Sequence, residues 1–150
     1  MEETLSGSRR INVSELKRAI INTDRAPQPI GAYSQAIRTA PGELLFIAGQ
    51  VAVDLEGDPV GIGDVAAQTK QVFENLRGVL EGVGANFSNV VEFTTYVVGR
   101  DSVRGFIEGR TEVFPTIFPD GDFPPNTLLV IDGLVREEFL VEVSAVAVLP

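Results

Sequence analysis

Residues 26–54, APQPIGAYSQAIRTAPGELLFIAGQVAVD, are the stretch from which the fold is read. Pro27 and Pro29 bound a bend that leads into two strand-like runs, Tyr33 to Thr39 and Leu44 to Val51. Between them, Ala40 to Glu43 has the composition of a tight turn, which predicts a hairpin. Asp54 to Gly63 is rich in glycine, proline and acids and predicts a loop. Asp64 is a good N-cap for a helix running to about Val83, where Gly82 and Gly84 end it. Val65, Thr69, Val72, Phe73, Leu76, Val79, Leu80 and Val83 recur at spacings of three and four, so one face of that helix is apolar. Lys70–Glu74 and Arg77–Glu81 are expected as ion pairs on its wet face.

Val90 to Val98 alternates as a strand, with Val91, Phe93, Thr95 and Val97 on one side. Ser102 opens a second helix to about Val113, with Val103, Phe106, Ile107 and Arg110 along one stripe. Gly105 and Gly109 lower its intrinsic propensity, so packing must hold it. Pro115, Pro119, Pro124 and Pro125 make the next stretch irregular, and Asn126 to Ile131 and Phe139 to Val148 are the last strands. The order β-β-α-β-α-β-β predicts an α+β domain with two helices on one face of a mixed sheet. Residues 1–16 are expected as a mobile tail with a short helical turn after Ser14, and 17–150 as a single domain. On the closing strand Phe139, Val141, Val143, Ala145 and Ala147 cover one side. The other side still carries Leu140, Val146 and Val148 around Glu142 and Ser144. A sheet apolar on both faces needs a second cover, for which other subunits are the expected source.

Composition narrows the chemistry. At 150 residues one domain can bury a real core. Apolar runs such as LLFIA are strand-length and far short of a membrane span. MEETLSGSRR at the start has no apolar core region, so no secretory signal is visible and a cytoplasmic location is expected. A net charge of −9 opposes nucleic-acid binding. The chain has no cysteine and no histidine, which excludes disulfides, a thiolate nucleophile, zinc held by sulfur or imidazole, and a serine triad on Ser34 or Ser144. Gly57, Gly61 and Gly63 form no phosphate loop, because no lysine and Ser/Thr follow at the right spacing. Carboxylates, hydroxyls, lysine, arginine, backbone amides and water remain. No metal or cofactor is expected.

Five blocks in order, residues 26–54, 64–84 (DVAAQTKQVFENLRGVLEGVG), 90–98 (VVEFTTYVV), 123–133 (FPPNTLLVIDG) and 141–148 (VEVSAVAV), resemble the Rid or YjgF family, also called L-PSP endoribonucleases. The resemblance covers roughly Ile20 to Leu149. It implies a homotrimer of the chorismate-mutase-like Rid fold, with small-molecule clefts between subunits and no cofactor. In Rid deaminases an arginine holds the substrate carboxylate and a glutamate on the last strand orients water. Carried over by the resemblance, the catalytic glutamate is Glu142, and Tyr33, Ala48, Gly49, Asn126 and Leu128 are the substrate-binding positions. Asn126 stands at the arginine position, Ala48 at a serine and Leu128 at a small residue, which marks a divergent member. Asparagine offers neutral hydrogen bonds in place of a charged fork, a loss of roughly 1.5–3 kcal/mol.

Three functions follow from the resemblance. The first is a divergent Rid-type hydrolase of an imine or enamine, with aminomuconate-like intermediates among its plausible substrates. The second is a non-catalytic homologue that binds a small ligand in the same cleft. The third is an endoribonuclease, which the negative charge and the missing histidine oppose. Neither a nucleic acid nor a membrane is expected as a partner.

Overall fold

The computed structural model describes residues 16–150. In chain order these form β1 (Arg18–Ile21), β2 (Ala36–Thr39), β3 (Glu43–Gln50), α1 (Val65–Gly82), a 3-10 turn (Phe87–Asn89), β4 (Val90–Val98), α2 (Ser102–Ile117), β5 (Asn126–Ile131) and β6 (Val141–Leu149). Strands β3-β6-β4-β5 make one sheet, antiparallel except for the β4–β5 pair, which α2 connects. Both helices lie on one face of this mixed sheet, so the expected α+β architecture is the observed one. No helix among the described residues is long and apolar enough to cross a membrane.

The Asp64 cap forms as expected, its Oδ1 accepting from the Ala67 N–H at 2.9 Å. Thr69, Val72, Phe73, Leu76 and Leu80 of the apolar stripe are buried, while Val79 and Val83 at its border are exposed. The expected ion pairs are replaced by others. Lys70 reaches across to Glu112 of α2 at 2.8 Å, and Arg77 sits beside Glu74 at 3.3 Å. An acid on the neighbouring helix lies closer to Lys70 than one a turn along its own.

The expected hairpin does not form. β2 pairs antiparallel with β1, Ile20 opposite Ile37, whereas β3 joins β6 in the main sheet. The competing partner is the segment expected to hold a helical turn. Leu16 is buried, and Arg18 donates to the Val90 carbonyl at 2.8 Å and the Asp122 carbonyl at 3.2 Å, fastening β1 to the end of the main sheet. Four residues are too few for alternation to announce a strand. Ser14 and the rest of the first 15 residues lie outside those described.

A register shift between Val90 and Glu92 turns Val90, not Val91, into the core, ahead of Phe93, Thr95 and Val97. Helix α2 runs four residues beyond Val113 and takes Pro115 into its last turn. A proline inside a helix costs about 3 kcal/mol. Here Phe114 and Phe118 pack against each other at 5.1 Å and against Phe123 at 5.5 and 5.9 Å, and that aromatic burial holds the turn.

The glycines of α2 have a packing reason. A Cβ on Gly105 would stand 2.7 Å from the Val65 Cβ, and one on Gly109 would stand 2.7 Å from both the Ala66 carbonyl oxygen and the Thr69 Cβ. The two helices cross where only hydrogen fits. Gly109→Ala is therefore expected to lower stability, although alanine improves helix propensity by about 1 kcal/mol. Overpacking of about 1–3 kcal/mol outweighs that gain. Urea unfolding at fixed protein concentration checks it, and a stabilised variant would show that the helices separate freely.

Candidate functional site

The segment before β2 is set by side-chain hydrogen bonds to backbone. Gln35 accepts from the Thr23 N–H at 2.7 Å and donates to the carbonyls of Thr23 and Pro27 at 3.0 and 2.9 Å. The buried Ser34 hydroxyl donates to the Phe123 carbonyl at 2.7 Å, bringing the loop against the entry to β5. Tyr33 is thereby held beside Asn126 and Leu128, and its hydroxyl accepts from the Ile30 N–H at 3.3 Å. These three residues border a cavity of about 340 Å³. Ile30 and Gly31 close it from the loop, and Ile107 and Arg110 from α2.

Strand pairing decides which face each residue takes. Asn126 lies opposite Phe93 and Leu128 opposite Thr95, and Phe93 and Thr95 are buried under the helices. Asn126 and Leu128 therefore point to the helix side. The Thr95 hydroxyl donates to Asn126 Oδ1 at 2.8 Å, which leaves the asparagine amide as its donor towards the cavity.

Glu142 faces the other way. Its neighbours Val141 and Val143 are fully buried beneath the helices, and Glu142 lies opposite Tyr96 on the uncovered face. A Cβ on Gly49 would meet the Glu142 side chain, 2.8 Å from its Cδ and 2.9 Å from its Cγ, so the carboxylate lies in the space a side chain would fill. β3 slips register against β6 between Ile47 and Gln50, which brings Gly49 under Glu142. Ala48 beside it is exposed. Glu142 forms no ion pair among the described residues.

The six residues carried over by resemblance thus fall into two groups within one chain. Tyr33, Asn126 and Leu128 line the cavity on the helix side, and Gly49 and Glu142, with Ala48, lie on the opposite face. That uncovered face also presents Phe46, 73% exposed, and Leu44.

The family model described as Endoribonuclease L-PSP matches residues 23–149. The chain belongs to the Rid family. It is 34% identical over 132 residues to a RutC family protein of Pyrococcus abyssi, covering 88% of this chain and 98% of that protein. It is 31% identical over 136 residues to the 2-iminobutanoate/2-iminopropanoate deaminase of Rattus norvegicus, covering 91% and 93%. The crystal structure of YyfB, a Rid family protein of Yersinia pestis, superposes with a TM-score of 0.76 at 32% identity, covering 88% of this chain and 98% of that one.

Two buried polar side chains, Arg110 and Gln68, were not among the site residues singled out from the sequence. Arg110 is only 9% exposed, and its guanidinium lies over the rings of Phe106 and Phe114 at 5.3 and 5.7 Å. Burial lowers its pKa from the ordinary arginine value. An arginine within the apolar stripe Val103–Phe106–Ile107 was the available signal. Gln68 is buried where α1 passes the entry to β6; it donates to the carbonyls of Gly61 and Glu138 at 3.1 and 2.8 Å and accepts from the Leu140 N–H at 2.9 Å. It sets the height of the strand that carries Glu142. No group of three or more His, Cys, Asp or Glu among the described residues could hold a metal ion.

Gln68→Met keeps the volume but leaves the Leu140 N–H and the Glu138 carbonyl without their partner. Each buried group left unpaired costs about 1–3 kcal/mol, so a loss of about 2 kcal/mol or more is expected. Chemical denaturation measures it; an unchanged midpoint would mean that water takes over both groups.

Proposed function

We propose that the protein is a Rid-type hydrolase of a reactive imine or enamine, in which Glu142 orients and deprotonates the attacking water. Similarity to a 2-iminobutanoate/2-iminopropanoate deaminase supports the reaction class. The observation that carries the assignment is the Glu142 carboxylate over Gly49, unpaired among the described residues and on an uncovered face.

The chemistry asks little of the protein. An imine carbon is already electrophilic. Glu142 takes a proton from water as the water oxygen bonds to that carbon, and the C=N double bond becomes single. The nitrogen gains protons and leaves as ammonia, and the carbon becomes a carbonyl. No step requires a cofactor.

One chain separates Glu142 from the cavity of Tyr33, Asn126 and Leu128 by the thickness of the sheet, so the cleft is assigned to the contact between copies. The exposed Leu44 and Phe46 are the apolar surface that a second copy would cover, and a homotrimer with three equivalent clefts fits this arrangement. The endoribonuclease reading ranks last, since the chain has no histidine and carries a net charge of −9.

Ammonia release from freshly generated 2-iminobutanoate and 2-aminomuconate tests the reading. Glu142→Gln is expected to cut turnover by about 100-fold or more while melting temperature stays within error. Full turnover in that variant would leave Glu142 without a role. No release from any substrate by the wild-type chain moves the reading to a ligand-binding protein. Sedimentation equilibrium is expected to give a trimer mass, and a monomer at micromolar concentration contradicts the intersubunit cleft.

A further inference from the structure

Arg110 has no part in the water chemistry proposed for Glu142. Its side chain is nine-tenths buried, yet it ion-pairs with no carboxylate among the described residues. An arginine keeps its charge at neutral pH. Its guanidinium nitrogens make no hydrogen bond among the described residues and keep contact with solvent at the cavity that Arg110 lines. Stacking on Phe106 and Phe114, one turn to each side, covers the faces of the guanidinium and leaves its N–H edge for a ligand. That edge belongs to the cavity: a Cβ on Gly31 would be 3.6 Å from Arg110 Nη2.

The cavity has the chemistry of an anion site. Arg110, Asn126 and Tyr33 are its polar lining residues, and no lining residue is acidic in a chain with 21 acidic residues. Ile30, Ile107 and Leu128 make the rest of the wall apolar. We infer that Arg110 binds the carboxylate of a small, largely aliphatic ligand, so that the charged anchor missing from β5 is supplied by α2. A guanidinium offers a carboxylate two parallel N–H bonds, a geometry that an amide or lysine cannot reproduce. The inference rests on the proposed hydrolase in one respect only, that the same cleft receives the reacting imine. With Arg110 as anchor, substrates regain a carboxylate requirement that Asn126 by itself had removed.

A pair of stable probes separates charge from shape: 2-oxobutanoate and its uncharged analogue 2-oxobutanamide, titrated by calorimetry into the full chain. The wild type is expected to bind the acid at least about tenfold more tightly than the amide, as charge-assisted hydrogen bonds require. Arg110→Gln is expected to remove that preference, and Arg110→Lys to keep part of it. The 15N resonance of Arg110 Nε in the wild-type chain gives a readout independent of any variant's folding. It is expected to move with the acid and stay still with the amide.

Equal binding of the two probes, binding of neither, an unmoved Nε resonance, or an acid preference retained by Arg110→Gln overturns the inference. Acid-selective binding through Arg110 without ammonia release from any imine keeps this inference and removes the hydrolase. Imine turnover with KM unchanged in Arg110→Gln keeps the hydrolase and removes the anchor.

Discussion

Successive side chains of a strand point to opposite faces, and β6 is the strand on which this matters most. Val141, Val143, Ala145 and Ala147 go under the helices, and Glu142, Ser144 and Val146 go to the uncovered side. Pairing transmits the choice to both neighbours. Through β4 it assigns Thr94 and Tyr96 to the Glu142 face and Thr95 to the helix face, and through β5 it sends Asn126 and Leu128 to the helix face as well. A one-residue slip would exchange every one of these positions. Gln68 guards against that slip at the start of β6, and the β3 register shift places a glycine beneath the carboxylate.

The helix pair has a second consequence. Gly105 and Gly109 let α2 settle against α1. The arginine next to the second glycine then lies between Phe106 and Phe114 at the border of the sheet, facing the loop that carries Tyr33. A residue that composition alone would assign to solvent becomes part of a cavity wall. A carboxylate over glycine and a guanidinium between rings thus lie on opposite sides of one sheet. The proposed trimer would bring them together across a subunit contact.

Elements with long periodic patterns were legible from sequence. α1, with its Asp64 cap and stripe through Leu80, and β5 over Asn126 to Ile131 lie where the pattern puts them. The doubly apolar closing strand likewise announced a face that needs cover. β1 was not legible, because its evidence is long-range: a buried Leu16 and two Arg18 hydrogen bonds to carbonyls far along the chain. The false hairpin followed from that omission, since β2 was left with only β3 to pair. At the site, resemblance supplied Glu142, Gly49, Tyr33 and Asn126 as positions but not their division between two faces, which depends on register. Arg110 was visible as an oddity in an apolar stripe, and only the packing of the Tyr33 loop against α2 gave it a cavity.

In the proposed trimer a complete site takes Glu142 from one copy and the Arg110 cavity from another. Mixing Glu142→Gln and Arg110→Gln chains, denaturing and refolding them together, and measuring imine hydrolysis tests it directly. At substrate concentrations well below KM, where both variants alone are nearly inactive, an equal mixture is expected to regain about one quarter of wild-type turnover, because that share of clefts unites an intact Glu142 with an intact Arg110. A mixture as inactive as its components, with mixed oligomers verified by mass, would place both residues in a site within one chain and contradict the account.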